Sequence, residues 1–195
     1  MNNTKTVSPT PSEQTQITHE NLPAPQGIGI AVAFDWGLAV QLLVQPFVPL
    51  FFKGTGMFKQ LGTNPLLSAL LYFLISLPFA ALLVIFGEGV RRGWRWTGTV
   101  QLVANALLSL VGLVGLWSLW PALMAGHYWG LVTSVILVIF SPLVTWRLSR
   151  SATREWFQRV TSAQARLRHG GSWPWAIACF AIVGGISQVL VGVFR

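Results

Sequence analysis

Five apolar runs, each close to the length of one bilayer crossing, divide this chain of 195 residues. They cover about 27–52, 65–86, 97–120, 128–146 and 173–194. About 20 apolar residues in helical form span the roughly 30 Å hydrocarbon core. The expected fold is all-α: a polytopic helical membrane protein with five transmembrane helices and one amphipathic interfacial helix. Composition agrees, with 53% hydrophobic and 9% charged residues and a mean hydropathy of +0.59. A soluble domain carries roughly 25% charged residues, so lipid is the better solvent for most of this chain.

Residues 1–26 are polar, with Pro9, Pro11, Pro23 and Pro25 among Ser, Thr, Gln and Asn. They read as a disordered cytoplasmic tail. No basic start leads directly into an apolar core, and no small-residue cleavage site follows, so the first run is expected to act as an uncleaved anchor. Residues 27–195 form a single membrane domain. The first run is the least clean: it holds Asp35, Gln41, Gln45, Pro46 and Pro49, which leaves open whether it crosses fully. Pro78 inside the second run predicts a kink.

Charge sets the threading. Counted on alternate sides, ten basic residues (Lys5, Arg91, Arg92, Arg95, Arg147, Arg150, Arg154, Arg159, Arg166 and Arg168) share one side. Lys53, Lys59 and Arg195 fall on the other. The positive-inside rule then puts the N-terminus in the cytoplasm and the C-terminus outside. The build is that of many small bacterial inner-membrane proteins, so the expected location is a bacterial plasma (inner) membrane. Tryptophans mark the same margins without using charge. Trp94 and Trp96 open the third run and Trp117 and Trp120 close it, Trp129 and Trp146 bracket the fourth, and Trp173 and Trp175 open the fifth. From Trp96 to Trp117 is about 32 Å of helix, one hydrocarbon core.

The stretch 147–168 holds six arginines against one acid, Glu155. On one continuous helix, Ala152, Trp156, Val160, Ala163 and Leu167 share a face, with arginines on both flanks. That pattern predicts a helix in the membrane plane, or a plain connector whose charge only sets orientation. The nine arginines from Arg91 to Arg168 are candidate contacts for anionic headgroups on the cytoplasmic side. Nucleic acid is not an expected partner, because no separate folded domain carries a basic groove.

Asp35 is the only acid inside an apolar run. An intramembrane acid marks an ion path by default, but its place beside Trp36 suits a cap on a helix starting there, and the cap is preferred. Gly29, Ala33, Gly37, Gln41 and Gln45 recur every four residues, a face suited to close helix packing; Asp35 lies opposite. Gln101 and Asn105 in the third run and Gln188 in the fifth complete a candidate polar cluster. Trp94–Arg95–Trp96 and Trp173–Pro174–Trp175 echo each other, as do Pro78 and Pro142, a faint hint of a duplicated helix pair. Cys179 reads as a small buried hydrophobe.

No catalytic, metal or cofactor signature is present. His19, His127 and His169 are scattered, and no nucleophile–base–acid arrangement or phosphate-binding glycine loop occurs. The first expectation is therefore a non-enzymatic membrane protein, an accessory or assembly subunit with a membrane-protein partner or a second copy of itself. The alternative is a small transporter or channel using Asp35 and the amides; a lipid-acting enzyme has almost no support.

Overall fold

The computed structural model describes Pro25 and residues 27–52, 64–124 and 129–193. Residues 1–24, 26, 53–63, 125–128 and 194–195, with His19 and His127 among them, lie outside the described residues. All elements among the described residues are helical. Helix α1 is Ile28–Val44. A 3-10 turn at Gln45–Phe47 joins it to α2, Val48–Phe51. Pro46 and Pro49 explain the change of pitch, since neither can donate to the preceding turn. Helix α3 is Pro65–Arg91; Asn64 accepts from the Leu66 amide at 3.0 Å and Pro65 fills the first position, a standard start. It continues as one helix through Pro78.

Helix α4 is Arg95–Met124 and α5 is Trp129–Leu148. Two short helices follow, α6 at Ser151–Arg159 and α7 at Ser162–Arg168, and then α8 at Trp173–Val193. Four segments are long and apolar enough to cross a membrane: Ile28–Phe51, Pro65–Arg91, Arg95–Trp117 and Trp173–Val191. Large apolar side chains along them face outward, including Leu74, Leu82, Val114 and Phe180, and Trp117 is 87% exposed. Apolar surface on this scale suits hydrocarbon and not water.

Helix α1 packs against α3 and α8, while α4 pairs with α5. Contacts fix the directions. Gly29 faces Trp173 and Ile177, and Gly37 faces Ala181 and Gly185, so α1 and α8 run parallel. Trp36 bonds to the Val84 carbonyl, and Phe47 stacks near Phe73, so α3 is antiparallel to α1. Gly112 meets Leu137, and Gly115 meets Ser134, so α5 is antiparallel to α4. The chain starts of α1, α4 and α8 thus gather at one end with α6 and α7, and the arginines follow.

The expected single helix over 147–168 is not formed. Arg150 and the pair Val160 and Thr161 are extended. Thr161 and Gln164 form a capping box that starts a new helix. The register therefore slips: Trp156 stays buried, but Ala163 is exposed and Leu167 is 88% exposed. The buried face of α6 is Thr153, Trp156 and Phe157. It packs on protein: a Cβ at Gly98 would meet the Phe157 ring at 2.8 Å, and one at Gly93 would meet Val160 and then the Trp156 indole at 3.3 Å. This apolar plug joins Ile28, Val32, Val90, Val144 and Leu148 in the main core.

Cys179 is exposed on the outer side of α8, not buried. The faces of α8 toward α1 are taken by Ile177, Ala181 and Gly185, and Cys179 projects away from them.

Candidate intramembrane polar site

The cap expected at Asp35 does not exist. Helix α1 begins at Ile28 and has no side-chain cap; Gly27, at φ 89°, turns the chain into it. Asp35 is therefore an interior helix residue about 11 Å along the axis, and it is 4% exposed. Its Oδ1 accepts from Gln101 Nε2 at 3.1 Å. Gln101 is 1% exposed and Asn105 2%. Asn105 Nδ2 donates to the Gln101 carbonyl at 2.8 Å, and Ser109 Oγ to the Asn105 carbonyl at 2.7 Å. Thr97, one turn before Gln101, donates to the Trp94 carbonyl at 2.7 Å. The four residues form a polar file down α4.

Sequence reasoning picked out Gln101 and Asn105 but not Thr97 and Ser109. The signal was present: the four recur every fourth residue along one face of a mostly apolar run. Two atoms of the cluster, Asp35 Oδ2 and Gln101 Oε1, are buried and have no hydrogen-bond partner among the described residues. A buried acceptor left in this way costs about 1–3 kcal/mol. Gly87 of α3 closes the site from one side; a Cβ there would meet Trp36 Nε1 at 2.7 Å and Asp35 Cβ at 3.3 Å.

The other amides lie elsewhere. The parallel register that sets Gly37 against Ala181 and Gly185 carries Gln41, one turn further on, toward the level of Gln188. Gln45 is exposed in the 3-10 turn. The cluster that forms is Asp35, Gln101 and Asn105.

At the arginine end the nine side chains differ. Arg91 and Arg92 both bond Glu88 at 2.6 Å, and Arg91 Nη1 donates to the His169 carbonyl at 2.8 Å. The Arg150 guanidinium lies 4.2 Å from the Trp146 ring and that of Arg147 5.4 Å, while Arg168 lies 5.5 Å from the Trp156 ring. Arg95, Arg154, Arg159, Arg166 and Arg168 are exposed. His169 is buried beside Trp156 and Trp173. Burial holds its imidazole below the usual value, and the nearby Arg168 and Arg91 charges act the same way, against the bond from Arg91 to its backbone. Among the described residues, no three His, Cys, Asp or Glu side chains converge as a metal site.

Comparison with protein families, curated proteins and solved structures found no match for this chain.

Proposed function

We propose that this chain is a small transporter- or channel-type membrane protein that passes a small cation by way of Asp35. The observation that carries the reading is a carboxylate inside the helix bundle, held by Gln101 on one oxygen and open on the other. An acid at such depth costs on the order of 3 kcal/mol on insertion scales, and acids retained there commonly serve ion or proton movement. The site also joins two helix groups. Asp35 belongs to the α1–α3–α8 group and Gln101 to the α4–α5 pair, so a change at the bond bears on how the groups sit together.

In the proposed setting α5 also crosses, giving five spans in a bacterial inner membrane. The arginine end faces the cytoplasm, with the N-terminus inside and the C-terminus outside. The exposed arginines of α6 and α7 lie at the interface and contact anionic headgroups.

Flux assays on the full chain in proteoliposomes test the function. Proton, sodium and potassium fluxes are measured separately under an imposed gradient. One of them is expected above protein-free vesicles and at least tenfold lower in Asp35→Asn. No flux of any of the three, or flux that survives both Asp35→Asn and Gln101→Leu, removes the reading.

A second reading, an accessory or assembly subunit of a membrane complex, is favoured by Gly184. Space beside its Cα on the outer side of α8 is open, and small residues let a further helix approach closely. A clean monomer in mild detergent with no co-purifying membrane protein counts against it.

A further inference from the structure

The proposed function leaves the identity of the cation open, and the chemistry of the buried pair narrows it. Asp35 and Gln101 each end in a planar group of three atoms, two of them polar. One edge is already joined, Nε2–H to Oδ1 at 3.1 Å. The remaining polar atom of each group, Oδ2 of Asp35 and Oε1 of Gln101, is an acceptor with no donor among the described residues. Two acceptors cannot satisfy each other, and both side chains are at least nine-tenths buried. One added hydrogen resolves both defects.

We propose that the Asp35–Gln101 pair is a proton-binding site in which the proton on Oδ2 of Asp35 donates to Oε1 of Gln101 and closes a cyclic acid–amide pair. This rests on Asp35 being the exchanging group of the proposed function, and it names the ligand as a proton and not a metal cation. The step balances simply: hydronium gives its proton to Oδ2, one O–H bond forms as another breaks, and water and a neutral acid remain. Release reverses it. The loaded pair carries no charge, which suits a site buried in hydrocarbon.

A hard metal cation fits less well. Such ions take about six or more oxygen ligands, and here two oxygens are open. The nearby side-chain N–H and O–H groups are turned elsewhere, Thr97 to the Trp94 carbonyl, Asn105 to the Gln101 carbonyl and Ser109 to the Asn105 carbonyl, so none of them supplies a hydrogen to Oδ2 or Oε1.

The charged groups on the packed elements stand off the pair. On α3, Glu88 is bound to Arg91 and Arg92. On α4, Arg95 is exposed at the first residue, about 9 Å along the axis from Gln101. On α5, Arg147 lies against Gly27. On α8, Cys179 is exposed on the outer side. His169, ahead of α8, sits between Trp156 and Trp173.

Asp35 is the only aspartate in the chain, so the test needs no mutation. Aspartate labelled with carbon-13 at its side-chain carboxyl reports this site alone in the full chain in liposomes. Solid-state NMR and infrared difference spectra are recorded across a pH series, then at fixed pH with sodium or potassium added. The expected result is conversion between carboxylate and acid signals with pH and no conversion with either metal. In Gln101→Met, the carbonyl stretch of the acid form is expected to rise toward that of an unbonded acid.

A signal that stays carboxylate over the whole folded pH range overturns the proposal, as does one converted by sodium or potassium. An acid stretch unchanged in Gln101→Met also overturns it. The failures are separable: titration without flux sinks the transport function alone, and flux without titration sinks the proton site alone.

Discussion

Arg91 donates from Nη1 to the backbone oxygen of His169, 78 positions further along the chain, at 2.8 Å. The same guanidinium holds Glu88 through Nε and Nη2, both at 2.6 Å. One side chain thus ties the end of α3 to the turn between α7 and α8. Planar, multi-donor geometry is what arginine supplies and lysine does not. Arg91→Gln is expected to cost about 2 kcal/mol, the scale of hydrogen bonds to charged groups, with Arg91→Lys recovering only part. Thermal unfolding in detergent gives the magnitude. Faster amide exchange confined to residues 160–171 identifies the cause, and an unchanged exchange pattern there refutes the clamp.

His169 gives a pH dependence of definite sign. Burial and the adjacent arginine charges hold its folded value below the ordinary one near 6.5. The unfolded chain therefore takes up this proton at a higher pH than the folded one. The group's contribution to stability is complete above about pH 6.5 and shrinks as pH falls below it toward the folded value. His169→Phe keeps an aromatic ring beside Trp156 and Trp173 and removes the titration. The drop in Tm below pH 6.5 is expected to be shallower in that variant. Superimposable Tm curves for the two proteins would exclude the assignment.

Much of the fold was legible before the structure, and the limits are physical. Run length and hydropathy fix where helices must lie, since a crossing of given thickness needs a given number of apolar residues. They do not fix where a helix begins. Asp35 beside Trp36 resembles a cap, yet the chain turns one helical stretch earlier at Gly27, whose positive φ needs no side-chain partner. The arginine segment shows the opposite case. Its break was readable as Thr161–Ser162–Ala163–Gln164, a capping-box sequence, but a continuous apolar stripe concealed it. Pairing between helices was the least legible part. Nothing in the spacing of Gln101 indicates that it reaches Asp35, 66 positions away, because contacts between spans depend on helix rotation. The exposure of Cys179 has the same origin.

Gly184 and Gly185 are chain neighbours with opposite surroundings. A Cβ at Gly185 would meet the Gly37 carbonyl oxygen at 2.6 Å and the Val40 Cβ at 2.8 Å, whereas one at Gly184 meets nothing within 4 Å. Gly185→Ala must push α8 off α1, at about 1–3 kcal/mol for overpacking. Gly184→Ala is expected to stay within about 0.5 kcal/mol. Unfolding of both variants as isolated protein in detergent makes the comparison. Equal costs would refute the parallel α1–α8 packing. A loss of a co-purifying partner in Gly184→Leu alone would support the subunit reading.

The alternation of helix directions carries a topological consequence. Gly27, Arg147 and Trp173 gather at one end of the bundle through the contacts of Gly27 with Arg147 and of Gly29 with Trp173. Gly93, between α3 and α4, joins them there through Trp156. Helices α1, α4 and α8 depart from this end, and α3 and α5 return to it. In the proposed setting α5 crosses as well, which makes the number of crossings odd and sets the two chain termini on opposite sides of the membrane. In that setting the positive-inside rule puts the arginine end in the cytoplasm. Reporters that function only inside or only outside the cell, fused in turn to each terminus, are expected to give N-terminus inside and C-terminus outside. Termini in the same compartment would mean that one helix fails to cross, and α5, which carries Pro142 near its end and is not among the four long apolar segments, would be the one to test by single-cysteine labelling along its length.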